Sequence, residues 1–215
     1  MPDCSTMRSV ATRLARRAVV QAARALFLER GYAATTVEAI STAADVPPAT
    51  VYRLFSAKLG ILKSLLDVPI AGDDEAVPVQ ERPRARALLP DPDPRSLLAG
   101  FAGVTAGIMS RAEPVYRILT SAAGSDPTAA AMLAEQARQR DQGQEQVARS
   151  LARSGALRPG LGERDAADII HALMSPEVYR LLVGDRGWDP DRYRQWLAGA
   201  LICQLLPPAT NAPAG

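Results

Sequence analysis

Apolar residues recur at threes and fours along most of the chain, and no stretch alternates at every second position, so the pattern predicts helices without a sheet. In TRLARRAVVQAARALFLERGY, the residues Ala15, Val19, Ala22, Ala23, Leu26 and Phe27 share one stripe, with Arg13, Arg16, Arg17 and Arg24 largely off it. Gly31 ends this helix, as glycine after a last turn commonly does. Thr35-x-x-Glu38 then reads as a capping box opening a short helix with Val37, Ile40 and Ala44 on one face. Asp45 stands where the chain must reverse, a conformation aspartate tolerates better than most residues, and Val46 is the apolar pin beneath the turn. Pro47 and Pro48 stop the first helix, while Pro48 suits the first position of the next, where its missing N–H is no loss. That second helix runs from Pro48 to about Phe55, burying Val51, Leu54 and Phe55 and turning Ala49, Thr50, Tyr52 and Arg53 outward.

From Asp67 to Arg95 the pattern lapses, with prolines at 69, 78, 83, 90, 92 and 94; the stretch reads as a surface loop, and Arg82, Arg84 and Arg86 in it as solvated side chains. Periodicity resumes from Pro94 with Leu97, Leu98, Phe101, Val104, Ile108 and Met109, and Glu113–Pro114 is expected to begin a further helix with Val115, Tyr116, Ile118 and Leu119. Asp126–Pro127 starts a long helix, Thr128 to about Ser154. After GALRPGLGE come Arg164–Met174, a short helix capped by Ser175-Pro176-Glu177 and reaching about Val183, and a last helix from Asp189-Pro190 with Tyr193, Trp196, Leu197, Ala200, Leu201 and Leu205 on one side. The expected fold is therefore all-α, divided into residues 1–66, 67–207 and a disordered tail, 208–215.

Two short helices joined by a tight turn have the layout of a helix-turn-helix, whose second helix enters a DNA major groove. The outward residues on Pro48–Phe55 suit such an approach, since a small residue permits close contact, and a hydroxyl, a phenol and a guanidinium reach phosphates or base edges. Ordinary helical proteins contain such corners too, so the flanks decide. Ala23, Leu26, Phe27, Gly31 and Tyr32, followed in register by Thr36, Ile40, Ala44, Val46, Thr50, Tyr52, Phe55 and Lys58, resemble the amino-terminal signature of the TetR/AcrR family of bacterial transcription regulators. The chain differs from that pattern with Asp45 in place of Gly, Pro47 in place of a capping Ser, and Leu54 in place of His or Tyr. The resemblance implies a three-helix DNA-binding head in which Thr36, Tyr52 and Lys58 bind phosphates. By the same resemblance Pro48, Ala49, Thr50 and Arg53 lie nearest the bases, Pro47 is beside them, and Leu54 serves the core.

Charge agrees. Residues 1–66 carry nine Lys/Arg against four acidic residues, a net of +5, whereas the remainder is at −3, so the chain's overall +2 conceals a basic end attractive to a duplex. Arg13, Arg16 and Arg17 are candidates for an amino-terminal arm on the backbone or minor groove. The 215 residues suffice for two cores, 47% are apolar, and no run approaches the ~18 to 20 apolar residues of a membrane span. Arginines throughout the first thirty residues argue against a secretory leader, and Cys4 and Cys203 at opposite ends suggest neither a disulfide framework nor a metal site; the expected location is cytoplasmic.

GALRPGL, SPEVYRLL and GWDPDRYRQWL resemble the helical regulatory domain of the same family, which implies a homodimer packed through Arg164–Met174 and Pro190–Leu205. Ile169, Leu173, Trp196, Leu197 and Leu201 would then meet the partner, although the same residues also suit an intrachain core. Phe101, Met109, Tyr116, His171 and Tyr179 are candidates for an effector cavity, with a core role again the competing reading. A single histidine, no metal-spaced ligands and a Gly100-x-x-Gly103-x-x-x-Gly107 run inside a helical pattern argue against an enzyme, a cofactor or a metal. The expected function is a homodimeric, ligand-released repressor on a palindromic operator, with a small-molecule effector and no membrane partner; a helical adaptor or a small-molecule-binding helical protein without DNA binding is the alternative.

Overall fold

A computed structural model describes residues 4–71 and 91–208, and side chains within 9–66 and 91–208; Arg82, Arg84, Arg86 and the tail from residue 209 lie outside. Among the described residues every element is helical: α1 Cys4–Arg30, α2 Val37–Ala44, α3 Pro48–Phe55, α4 Lys58–Ala71, α5 Pro94–Ala123, α6 Pro127–Arg153, α7 Glu163–Leu173, α8 Pro176–Tyr179, a π-helical segment Arg180–Asp185, and α9 Pro190–Leu205. None of these helices is long and apolar enough to cross a membrane.

The chain packs as two compact units. The first takes residues 1–76 together with 114–135. In it Gly31, at φ +82°, closes α1 by donating its N–H to the Phe27 carbonyl at 3.0 Å. The expected capping box does not form. Thr35 is buried and donates its hydroxyl to the Gly31 carbonyl at 2.8 Å, while Thr36 caps α2 by accepting the Ala39 N–H at 3.1 Å. Position 39 is an alanine, with no side chain to complete a box, so the cap is one-sided. Asp45 adopts the left-handed conformation, φ 52°, and Val46 is buried beneath the turn. Pro48 is the first residue of α3, as its fixed φ favours.

Helix α4, for which the apolar pattern gave no separate expectation, completes the head with Ile61, Leu62, Leu65 and Leu66 buried against Val19, Phe27, Ile40 and Phe55. Val115, Ile118, Leu119, Ala122 and Ala129 join the same core. The unit thus reaches beyond the boundary expected at residue 66, because so few short helices bury little apolar surface alone. This also explains why α5 runs unbroken for 30 residues with Pro114 inside it, instead of restarting at Glu113. An interior proline costs roughly 3 kcal/mol, and fully buried Ala112, Val115 and Leu119 on either side offset it. Asp126 caps α6, accepting the N–H groups of Thr128 at 2.8 Å and Ala129 at 3.2 Å.

The second unit takes residues 77–113 and 136–215. Ser175 caps α8 by accepting the Val178 N–H at 3.2 Å, and Asp189 caps α9 through Asp191 at 2.8 Å. The short helix expected to reach Val183 instead widens after Tyr179 into the π-helical segment. Along α9, Tyr193, Leu197, Leu201 and Leu205 are fully buried, and Tyr193 packs edge-on against Tyr179 with ring centroids 4.8 Å apart. The Tyr193 hydroxyl is buried without a hydrogen-bond partner among the described residues, and burial drives its pKa far above the usual tyrosine value. Tyr193→Phe therefore removes an unsatisfied polar atom, and thermal melts should show stability unchanged or raised by about 1 kcal/mol; a clear loss would mean the hydroxyl has a partner.

Candidate nucleic-acid interface

Helix α3 stands on Val51 and Phe55, both buried, with Thr50 and Leu54 half-buried at its flanks. Pro47, Pro48, Ala49, Tyr52 and Arg53 are exposed, Tyr52 to 45%. Pro47 supplies no side-chain cap, so the end of α3 carries no internal acceptor of the kind a serine would provide. The Tyr52 hydroxyl donates to Glu38 Oε1 at 3.4 Å across the turn, a link between residues fourteen apart that no helical period signals. Thr36 is exposed at the start of α2.

Lys58 is placed differently from its neighbours. It is half-buried, and Nζ donates to the carbonyls of Tyr32 at 2.7 Å and Thr35 at 2.9 Å while lying 4.2 Å from the centroid of the Tyr32 ring. Burial lowers its pKa, and the Asp126 carboxylate opposes that shift. The Tyr32 phenol is pushed up, first by burial and then by the charge of Asp126 and a hydrogen bond to it.

The amino-terminal arm expected from Arg13, Arg16 and Arg17 is not an arm, because α1 is already helical at Cys4. Arg16 is drawn inward: its guanidinium sits 4.8 Å from the centre of the Phe55 ring, donates to Ser64 Oγ at 3.0 Å and reaches the Leu54 carbonyl at 3.4 Å. All three arginines stay exposed on α1, with Arg13 and Arg17 outside this set of contacts.

Of the expected effector residues, Tyr116 falls in the first unit, and Phe101, Met109, His171 and Tyr179 in the second. Met109 and Tyr179 are buried, Phe101 half-buried. His171 lies half-exposed with Nδ1 2.7 Å from Asp141 Oδ1 and 3.1 Å from Gln144 Oε1. An open hollow of about 470 Å³ on α6, lined by Gln146, Arg149, Ser150, Arg153 and Ser154, includes none of the five. Of the expected dimer contacts, Leu197 and Leu201 are fully buried within their own chain and have no surface to offer a partner, a correction that follows from their place on the inner stripe of α9. Ile169, Leu173 and Trp196 remain half-buried, and Trp196 packs against Trp188 and Tyr193.

Residues 19–65 match the family model for bacterial regulatory proteins of the tetR family. Among curated proteins none matches the sequence. Solved structures do. NalD, the secondary repressor of the MexAB-OprM multidrug efflux pump in Pseudomonas aeruginosa, is 26% identical with a TM-score of 0.68, over 91% of this chain and 98% of that one. SmeT, the repressor of the Stenotrophomonas maltophilia multidrug efflux pump SmeDEF, is 20% identical with a TM-score of 0.66 over 93% and 94%, and has also been solved with triclosan. The fatty acid degradation regulator FadR of Bacillus halodurans is 19% identical with a TM-score of 0.67 over 86% and 93%.

Proposed function

Because the chain is a tetR-family transcriptional regulator, with that family's helix-turn-helix domain on its helical fold, we propose that it acts as a homodimeric repressor which leaves a palindromic operator when a small molecule binds. The observation that carries the DNA part is the outward set Ala49, Tyr52 and Arg53 on an α3 whose other side is anchored by Val51 and Phe55. A rigid foot holds three side chains of suitable chemistry at fixed spacing, and the start of α3, which no side chain caps, is open to a phosphate oxygen. One short helix reads few base pairs, so two-fold pairing is what gives such a head useful specificity. Ile169, Leu173 and Trp196 are the contacts that remain for that pairing. The efflux-pump repressors NalD and SmeT, the latter solved with triclosan, support a repressor released by an apolar ligand.

Selection of bound fragments from genomic DNA should recover a two-fold symmetric site, and recovery of none at low salt would sink the reading. On that site Arg53→Ala should weaken binding about tenfold to a hundredfold, the ~1–3 kcal/mol of a base-directed arginine. A helical adaptor would show no salt-sensitive duplex binding at all. Triclosan is the first probe for release: displacement of the duplex with a defined stoichiometry supports the effector part.

A further inference from the structure

An ammonium has three N–H groups, and Lys58 uses two of them on carbonyls at the two ends of the turn between α1 and α2, those of Tyr32 and Thr35. The aromatic face under it belongs to Tyr32 itself, whose ring packs on Phe27 at 5.3 Å. The next residue after Thr35 is Thr36, the cap of α2. Asp126, which accepts the N–H groups of Thr128 and Ala129 in the first turn of α6, hydrogen-bonds the Tyr32 phenol, and its charge acts on both Tyr32 and Lys58. A half-buried ammonium with such partners is a poor choice for a phosphate, because reaching out would abandon two backbone carbonyls and an aromatic face.

We propose that Lys58 is a positioning residue for DNA binding and not a phosphate ligand: it clamps the Tyr32–Thr35 turn that presents Thr36 and the start of α2, and Asp126 holds that clamp from the cap of α6. The inference rests on the DNA-binding reading above. It makes the start of α6 part of the support of the reading head, so a shift there reaches Thr36 through Tyr32 and Lys58.

The test is a salt titration of duplex binding by the full-length protein, wild type beside Lys58→Met, Lys58→Arg and Asp126→Asn, each measured well below its own melting temperature. A residue that merely stabilises the fold then moves the Tm and leaves the Kd alone, whereas the clamp predicts Lys58→Met about tenfold weaker at every salt concentration. Lys58→Arg, which keeps charge and donors, should recover part of the loss. A lost phosphate contact in each of two heads would instead flatten the slope of log affinity against log salt by about 1.8. Asp126→Asn discriminates by sign: asparagine still caps a helix and the head becomes more positive, so plain electrostatics tightens binding, while the clamp requires it to weaken. A flattened slope for Lys58→Met, an unchanged Kd for it, or tighter binding by Asp126→Asn overturns the proposal. Should Lys58→Met not fold, the sign of the Asp126→Asn effect is decisive alone. Wild type failing to bind any duplex would defeat the functional reading itself, a result distinct from the loss of this clamp.

Discussion

Gly60→Ala should cripple the head. A Cβ built on Gly60 would lie 2.0 Å from the Phe55 carbonyl oxygen and 3.0 Å from its carbon, and both are backbone atoms that no rotamer change can move. The approach is forced by the corner between α3 and α4, where Ser56 takes φ 63°, Ala57 donates its N–H to that same Phe55 oxygen at 2.7 Å, and Gly60 donates to Ala57 at 3.0 Å. Relief requires opening the corner, which unseats Phe55 from the core and with it the guanidinium of Arg16. The cost is roughly 3 kcal/mol or more, at the upper end of overpacking, and in a chain of this size that lowers the Tm by about 6 to 12 °C. Duplex binding should fall with it. Gly199→Ala is the control, since nothing lies within 4 Å of the added methyl in the exposed middle of α9, and the gain in helix propensity is up to about 1 kcal/mol. Equal melting of Gly60→Ala and wild type would mean that the corner is not built this way.

Leu201→Ala is the second large effect. With Tyr193, Leu197 and Leu205 it forms a fully buried row on α9, and truncating such a leucine leaves a cavity worth about 2 to 5 kcal/mol. Because the side chain has no surface within its own subunit to give to another, the loss should be the same at every protein concentration, with the association constant of the proposed dimer untouched. Leu173→Arg or Ile169→Arg, placed on half-buried positions of α7, should do the reverse, shifting sedimentation toward monomer and removing the concentration dependence of Tm that association confers. A dimer that dissociates on Leu201→Ala while the subunit stays folded would restore this residue to the interface.

The sequence by itself determined the features whose causes lie within a few residues. The left-handed turn at Asp45, the entry of α3 at Pro48 and its end at Phe55, the stop at Gly31, and the caps at Asp126, Ser175 and Asp189 were all legible, because φ preferences, missing N–H groups and side-chain acceptors act over one turn of helix. The outward set on α3 was legible for the same reason, except that Thr50 is half-buried. What the tertiary structure decided involves partners far apart in the chain. Thr35 read as the cap of α2, but in the fold the Leu26 and Gly31 carbonyls claim its hydroxyl and Thr36 takes the capping place. The resemblance offered Lys58 as a phosphate ligand, and only the packed structure shows its Nζ donating to carbonyls 26 and 23 residues away. Pro114 looked like a helix start, yet the burial of Val115 and Leu119 carries α5 through it. Periodicity said that Leu197 and Leu201 must be covered, and it could not say by what. Burial against the same chain or another satisfies the hydrophobic effect equally, so only the packed structure distinguishes them.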